Sequence, residues 1–170
     1  KGEVFDQFED IIASKFKENK KVLTSSEVER VTMLFSKGKI IEALDSLEVL
    51  TSQFPDEAKL YIMAGLCCVN LKKYNLAIKN YQRAIKIKPD YAEAYYMLGK
   101  TFRDLGQLRN AISPLKQSII FKSDYFDAYT NLALSLYDLG HAEEAITYYE
   151  QAIKIKPDSS ELHCNLGLAL

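Results

Sequence analysis

Apolar residues recur along this chain at three- and four-residue intervals, broken by short polar stretches, which predicts a succession of helices rather than strands. Tyr95, Leu98, Gly99 and Phe102 fall on one helical face. The break Asp104-Leu105-Gly106-Gln107 follows, and Gly106 can take the left-handed conformation that ends a helix. A second stripe runs through Ala111, Ile112, Leu115 and Ile119. The scheme then repeats with Tyr129, Leu132 and Leu136, a break at Gly140, and Ala145, Ile146, Tyr149 and Ile153. Each unit reads as an antiparallel helical hairpin.

The units share one period. The string AIKIKPD stands at residues 84–90 and again at 152–158, a spacing of 68, or twice 34. At a period of 34, Ala43, Ala77, Ala111 and Ala145 share a register, as do Tyr61, Tyr95 and Tyr129, and as do Asp56, Asp90, Asp124 and Asp158. Several columns in one phase mark an internal repeat rather than a coincidence.

The segments YYMLGKTFRDLGQLRNAI and AITYYEQAIKIKPD resemble the two halves of the tetratricopeptide repeat (TPR), a helical hairpin with an aromatic and Leu-Gly on its first helix, and Ala, an aromatic and a terminal Pro on its second. The resemblance implies an all-α fold, a right-handed α-solenoid of antiparallel helical hairpins. It divides the chain into a divergent first repeat at 24–57, repeats at 58–91, 92–125 and 126–159, and the first helix of a fifth at 160–170. Residues 1–23 stand apart as an N-terminal capping or docking helix, with Val4, Phe5, Phe8, Ile11, Ile12 and Phe16 at helical spacing.

Packing explains the columns. Gly65, Gly99, Ala133 and Gly167 occupy a position where the two helices of a hairpin must approach closely, opposite the Ala column. Asp90, Asp124 and Asp158, each followed three residues later by an acid (Glu93, Asp127, Glu161), read as helix N-caps. Lys86, Lys88, Lys154 and Lys156 suit the negative ends of second helices, and Pro89 and Pro157 stop those helices. Three departures stand out. The first repeat has Glu27, Arg30 and Val31 where the family has an aromatic, Leu and Gly, so a shift of its first helix is open. Pro114 falls inside a second helix, where a local kink is expected, and Ser123 replaces the terminal Pro. Leu166, Leu168 and Leu170 lack the polar cap that ends a solenoid, so the chain is expected to be a fragment of a longer one.

Charge changes the picture by exclusion. With 22 Lys and Arg against 23 Asp and Glu, the chain lacks the electrostatic footprint of a nucleic-acid or acidic-membrane binder. No apolar run is long enough to span a bilayer and no signal-peptide pattern opens the chain. Three cysteines, two of them adjacent, fit neither a disulfide framework nor zinc-ligand spacing, so a reducing, cytoplasmic setting is expected. Chemistry is equally sparse. His141 sits by a turn, His163 occupies the Tyr column, Cys68 lies in a core column and Glu143 with Glu144 starts a helix. No triad, phosphate loop or metal-binding motif is formed, so no catalytic residue, metal or cofactor is expected and the chain reads as a non-enzyme.

Binding is what remains. In the family resembled, first helices line a concave groove that holds an extended peptide or a partner helix. By register its lining here would be Lys59, Ile62, Met63 and Leu66; Tyr96, Met97, Lys100 and Arg103; Thr130, Asn131, Leu134 and Tyr137; and Asn165 and Leu168. The carboxylate clamp of chaperone-tail binders is absent, since Ile62, Leu66, Met97 and Asp127 stand at its positions. An Asn ladder like that of O-GlcNAc transferase is half present, in Asn131 and Asn165 but not Met63 and Met97. The leading reading is a protein–protein interaction scaffold, in which Tyr96→Ala and Asn131→Ala would weaken a partner without unfolding the domain. The alternatives are a recruitment domain of a larger transferase or oxygenase, and a self-association module that forms a homo-oligomer through its last helix.

Overall fold

The computed structural model describes residues 22–170, and among them it contains nine helices and no strand. They are α1 (Ser25–Ser36), α2 (Ile40–Gln53), α3 (Ala58–Asn70), α4 (Tyr74–Ile87), α5 (Ala92–Asp104), α6 (Leu108–Phe121), α7 (Phe126–Asp138), α8 (Ala142–Ile155) and α9 (Ser160–Ala169). The helix expected over Val4 to Phe16 lies outside the described residues. Consecutive helices pack as hairpins, and each second helix also packs on the first helix of the next hairpin. First helices of successive repeats touch, α3 with α5 and α5 with α7, while second helices do not approach one another to that degree. The stack therefore curves with the first helices on its inner, concave face.

Small residues set the spacing within a hairpin. A Cβ on Gly65 would lie 2.4 Å from Cε1 of Tyr81, and one on Gly99 would lie 2.6 Å from Cγ of Leu115. Ala43, Ala77, Ala111, Ala133 and Ala145 are all fully buried. The first repeat keeps this register rather than shifting: Val31, 1% exposed, fills the column that holds Gly in the next two hairpins. Its helix is fixed by a capping box, in which the Thr24 amide donates to Glu27 Oε2 at 2.9 Å and the Glu27 amide donates to Thr24 Oγ1 at 3.3 Å.

The turn inside each hairpin is a Schellman motif. The Lys39, Lys73, Gln107 and His141 amides donate to the carbonyls of Leu34, Cys68, Phe102 and Leu136 at 2.8–2.9 Å. This closure requires a left-handed residue, supplied by Gly38, Gly106 and Gly140 (φ 73°, 71° and 82°) but by Lys72 (φ 57°) in the second hairpin. A side chain there costs about 1 kcal/mol relative to glycine. Lys72→Gly is therefore expected to stabilise the protein by about 1 kcal/mol, read as a higher urea midpoint at unchanged slope.

Between repeats the structure corrects the capping expectation. The N-caps are Tyr91, Tyr125 and Ser159, one residue beyond the aspartates, and none makes a side-chain capping bond. Asp90 and Asp124 contribute their backbone carbonyls, accepting from the Ala92 and Phe126 amides at 3.0 Å, because the turn after the helix leaves each side chain one position too early to cap. Two members of the Tyr column bond to the same turn. The Tyr61 hydroxyl donates to the Pro55 carbonyl at 3.2 Å, and His163 places Nε2 2.8 Å from the Pro157 carbonyl, which accounts for a histidine in that column. α6 runs unbroken through Pro114, so the repeat is preserved there.

The buried residues form two clusters. One runs from Val31 to Leu98 and the other from Tyr96 to Ala169, and the partly buried Met97 and Phe102 pack against both.

Candidate functional site

Two of the residues expected to line the groove are core residues. Ile62 is 3% exposed and Tyr96 is 8% exposed. Tyr96 lies on the flank of α5 that turns towards the next repeat. The Tyr96 ring stacks on Tyr125, just before α7, with centroids 4.8 Å apart. Burial pushes the Tyr96 hydroxyl up to about 12, with Asp127 and Asp104 adding to the shift.

The remaining candidates stay at least partly accessible. Several are already engaged with their own chain. Lys100 pairs with Asp104 at 2.9 Å. The Thr130 hydroxyl donates to the Phe126 carbonyl at 3.0 Å and Asn131 Nδ2 donates to the Asp127 carbonyl at 2.8 Å. The Tyr137 hydroxyl donates to the Leu168 carbonyl at 3.3 Å, tying α7 to α9. Met97 and Leu134 are half-buried, as is Asn165, while Leu168 is largely exposed.

One part of this face is hollow. Between α1 and α3 lies an apolar pocket of about 200 Å³, lined by Val31, Thr32, Phe35, Lys59, Met63, Leu66 and Cys67. Lys59, Met63 and Leu66 were expected on this face; the opposite wall of Val31, Thr32 and Phe35 was not. The missing signal was the period itself, since 32 and 35 are the same columns as Leu66 and Val69 one repeat later. A pocket of this size accommodates a benzene-sized group. The exposed Lys59 and Thr32 form its polar rim.

Cys67, 1% exposed, sits at the base of this pocket, and burial, then the neighbouring Cys68, pushes its thiol up to about 11. Cys164 is exposed. Alkylation with iodoacetamide at pH 8 is therefore expected to modify Cys164 alone in the native protein and all three thiols after denaturation, as counted by mass spectrometry. Rapid native labelling of Cys67 would contradict the closed base of the pocket.

The stack has recognisable relatives. The TPR repeat family matches residues 65–102 and 133–170, and a second tetratricopeptide-repeat description matches 92–119. The chain belongs to the tetratricopeptide-repeat family. No curated protein sequence matches it. Among solved structures, MamA superposes with a TM-score of 0.78 at 25% identity, covering 88% of this chain and 84% of that one. YrrB, described as a TPR protein with an unusual peptide-binding site, superposes with a TM-score of 0.75 at 20% identity, covering 92% and 80%. A thermophilic TPR protein from Thermus thermophilus gives 0.68 at 21% identity, covering 82% and 77%. The latter two likenesses show the fold. TPR stacks are scaffolds for protein–protein interaction and generally not catalysts. No helix among the described residues is long and apolar enough to cross a membrane.

Proposed function

We propose that this TPR chain is a scaffold whose concave face holds an extended segment of a partner protein. The observation that carries the reading is the apolar pocket between α1 and α3. A water-exposed hollow walled by Val31, Phe35, Met63 and Leu66 gains free energy when an apolar side chain fills it. The open face beyond it offers half-buried Met97, Asn131 and Leu134, a mixture that suits both apolar side chains and backbone amides. The free, buried Cys67 and Cys68 fit the cytoplasmic setting that belongs to this reading.

The test is affinity capture from the source cells with paired variants. Met63→Glu places a carboxylate in the pocket and is expected to abolish capture of the bound partner. Ile120→Glu, at a site 67% exposed on a second helix, is expected to leave capture intact. Circular dichroism verifies that both variants are folded. Equal loss in both, or in neither, would sink the reading.

A further inference from the structure

Arg103 is a groove candidate whose charge no ion pair uses among the described residues. It stands on α5 in the column that Phe35 occupies two repeats earlier, so by register it faces the α5–α7 counterpart of the apolar pocket. There the lining has become more polar: Lys100 replaces Thr32, Arg103 replaces Phe35 and Asn131 replaces Met63, while Asp127 stands in the column of Lys59 at the rim and Leu134 keeps that of Leu66 apolar. The guanidinium is half-buried, and its Nε is buried with no hydrogen-bond partner. Among the described residues no carboxylate comes within ion-pair distance of it, and Lys100 already holds Asp104. Its field reaches the hydroxyls of Tyr96 and Tyr149, which burial keeps neutral. A partly desolvated cation without a counter-ion is costly, and while the buried Nε is closed to a ligand, the terminal N–H groups of the guanidinium match a carboxylate.

We propose, on the groove reading above, that the bound segment carries two features: a bulky aliphatic or aromatic residue that fills the pocket between α1 and α3, and an Asp or Glu that pairs with Arg103. The two clefts are two repeats apart. Neighbouring packed helices lie about 8–10 Å apart, which places the clefts roughly 20 Å from one another. An extended chain advances about 3.3 Å per residue, so the two features are separated by about six residues. The groove thus reads spacing as well as composition, with an apolar end and a cationic end.

The experiment uses the full chain, immobilised, and a library of acetylated and amidated decapeptides carrying one apolar and one acidic position at all spacings. The wild type is expected to retain peptides with the two positions about five to seven residues apart. Replacing the acid by Gln in a retained peptide is expected to weaken it about tenfold or more, with most of the difference lost at high salt. Arg103→Met keeps the aliphatic stem and is expected to erase the acidic preference while keeping the apolar one; Arg103→Lys is expected to restore part of it. Met63→Glu is expected to erase the apolar preference. The peptide-side Glu-to-Gln comparison needs no protein variant, so it decides the matter even if Arg103→Met unfolds. Retention with no acidic preference overturns the assignment of Arg103 and leaves the groove reading standing. Retention of no peptide, or retention indifferent to both Met63→Glu and Arg103→Met, overturns both. Displacement of the retained peptides by a synthetic peptide of residues 1–21 would give the face to the chain's own N-terminal segment and overturn the assignment to a partner.

Discussion

Tyr81→Ala is expected to destabilise the fold by about 3–5 kcal/mol, the cost of emptying a fully buried aromatic site. Tyr81 has no exposed surface, and its ring lies directly against the backbone of Gly65, where a Cβ would come within 2.8 Å of three ring atoms. Truncation removes an aromatic ring from the centre of the α3–α4 hairpin and leaves a cavity that Gly65 cannot fill. The hydroxyl contributes little to this. It is buried beside Thr101, whose own proton goes to the Met97 carbonyl at 2.7 Å, and it makes no well-formed hydrogen bond. Tyr81→Phe should therefore stay within about 1 kcal/mol of the wild type. Urea denaturation of the two variants checks both statements, and a large loss for Phe would assign the energy to the hydroxyl instead.

Tyr96→Ala is expected to cost about 3 kcal/mol of stability, reversing the expectation that it would weaken a partner and spare the fold. Its ring is 8% exposed and stacks on Tyr125 across the joint between α5 and α7. Asn131→Ala removes a half-buried amide that donates to the Asp127 carbonyl of its own helix and meets the Tyr96 hydroxyl, and should shift stability by about 1 kcal/mol, well below the loss at Tyr96. Thermal unfolding followed by circular dichroism separates the two. Equal melting temperatures would return Tyr96 to the open face.

The fold was legible because packing repeats. A column that faces the hairpin partner must be small wherever the backbones meet, so Gly65, Gly99 and Ala133 announce themselves at a spacing of 34. The site was less legible because a helix's own periodicity defines a face only broadly. Ile62 and Met63 are neighbours, about 100° apart around the helix. Which of them is covered depends on the angle between successive repeats, and that angle arises from the packing of α3 on α5 rather than from either helix alone. The same limit hid the wall of Val31, Thr32 and Phe35, since the first repeat lacks the aromatic and Leu-Gly signs that locate the others. Its own signature was local and of another kind: the Thr24-to-Glu27 capping box. The aspartates misled for a similar reason, since their spacing suits a cap but the turn geometry uses their carbonyls.

The division of the core at α5 has a mechanical meaning. Two buried clusters meet there, and among the described residues only Met97 and Phe102 pack against both. Under tension the molecule is two springs in series, each held by its own apolar filling and joined at α5. Because repeat arrays gain stability chiefly from neighbouring units, a load applied at the two ends passes equally through every joint and opens the weakest one first. The joint at α5 falls in the stretch of concave face that separates the apolar pocket from Arg103, so stretching the solenoid would alter the distance between them and loosen whatever spans both.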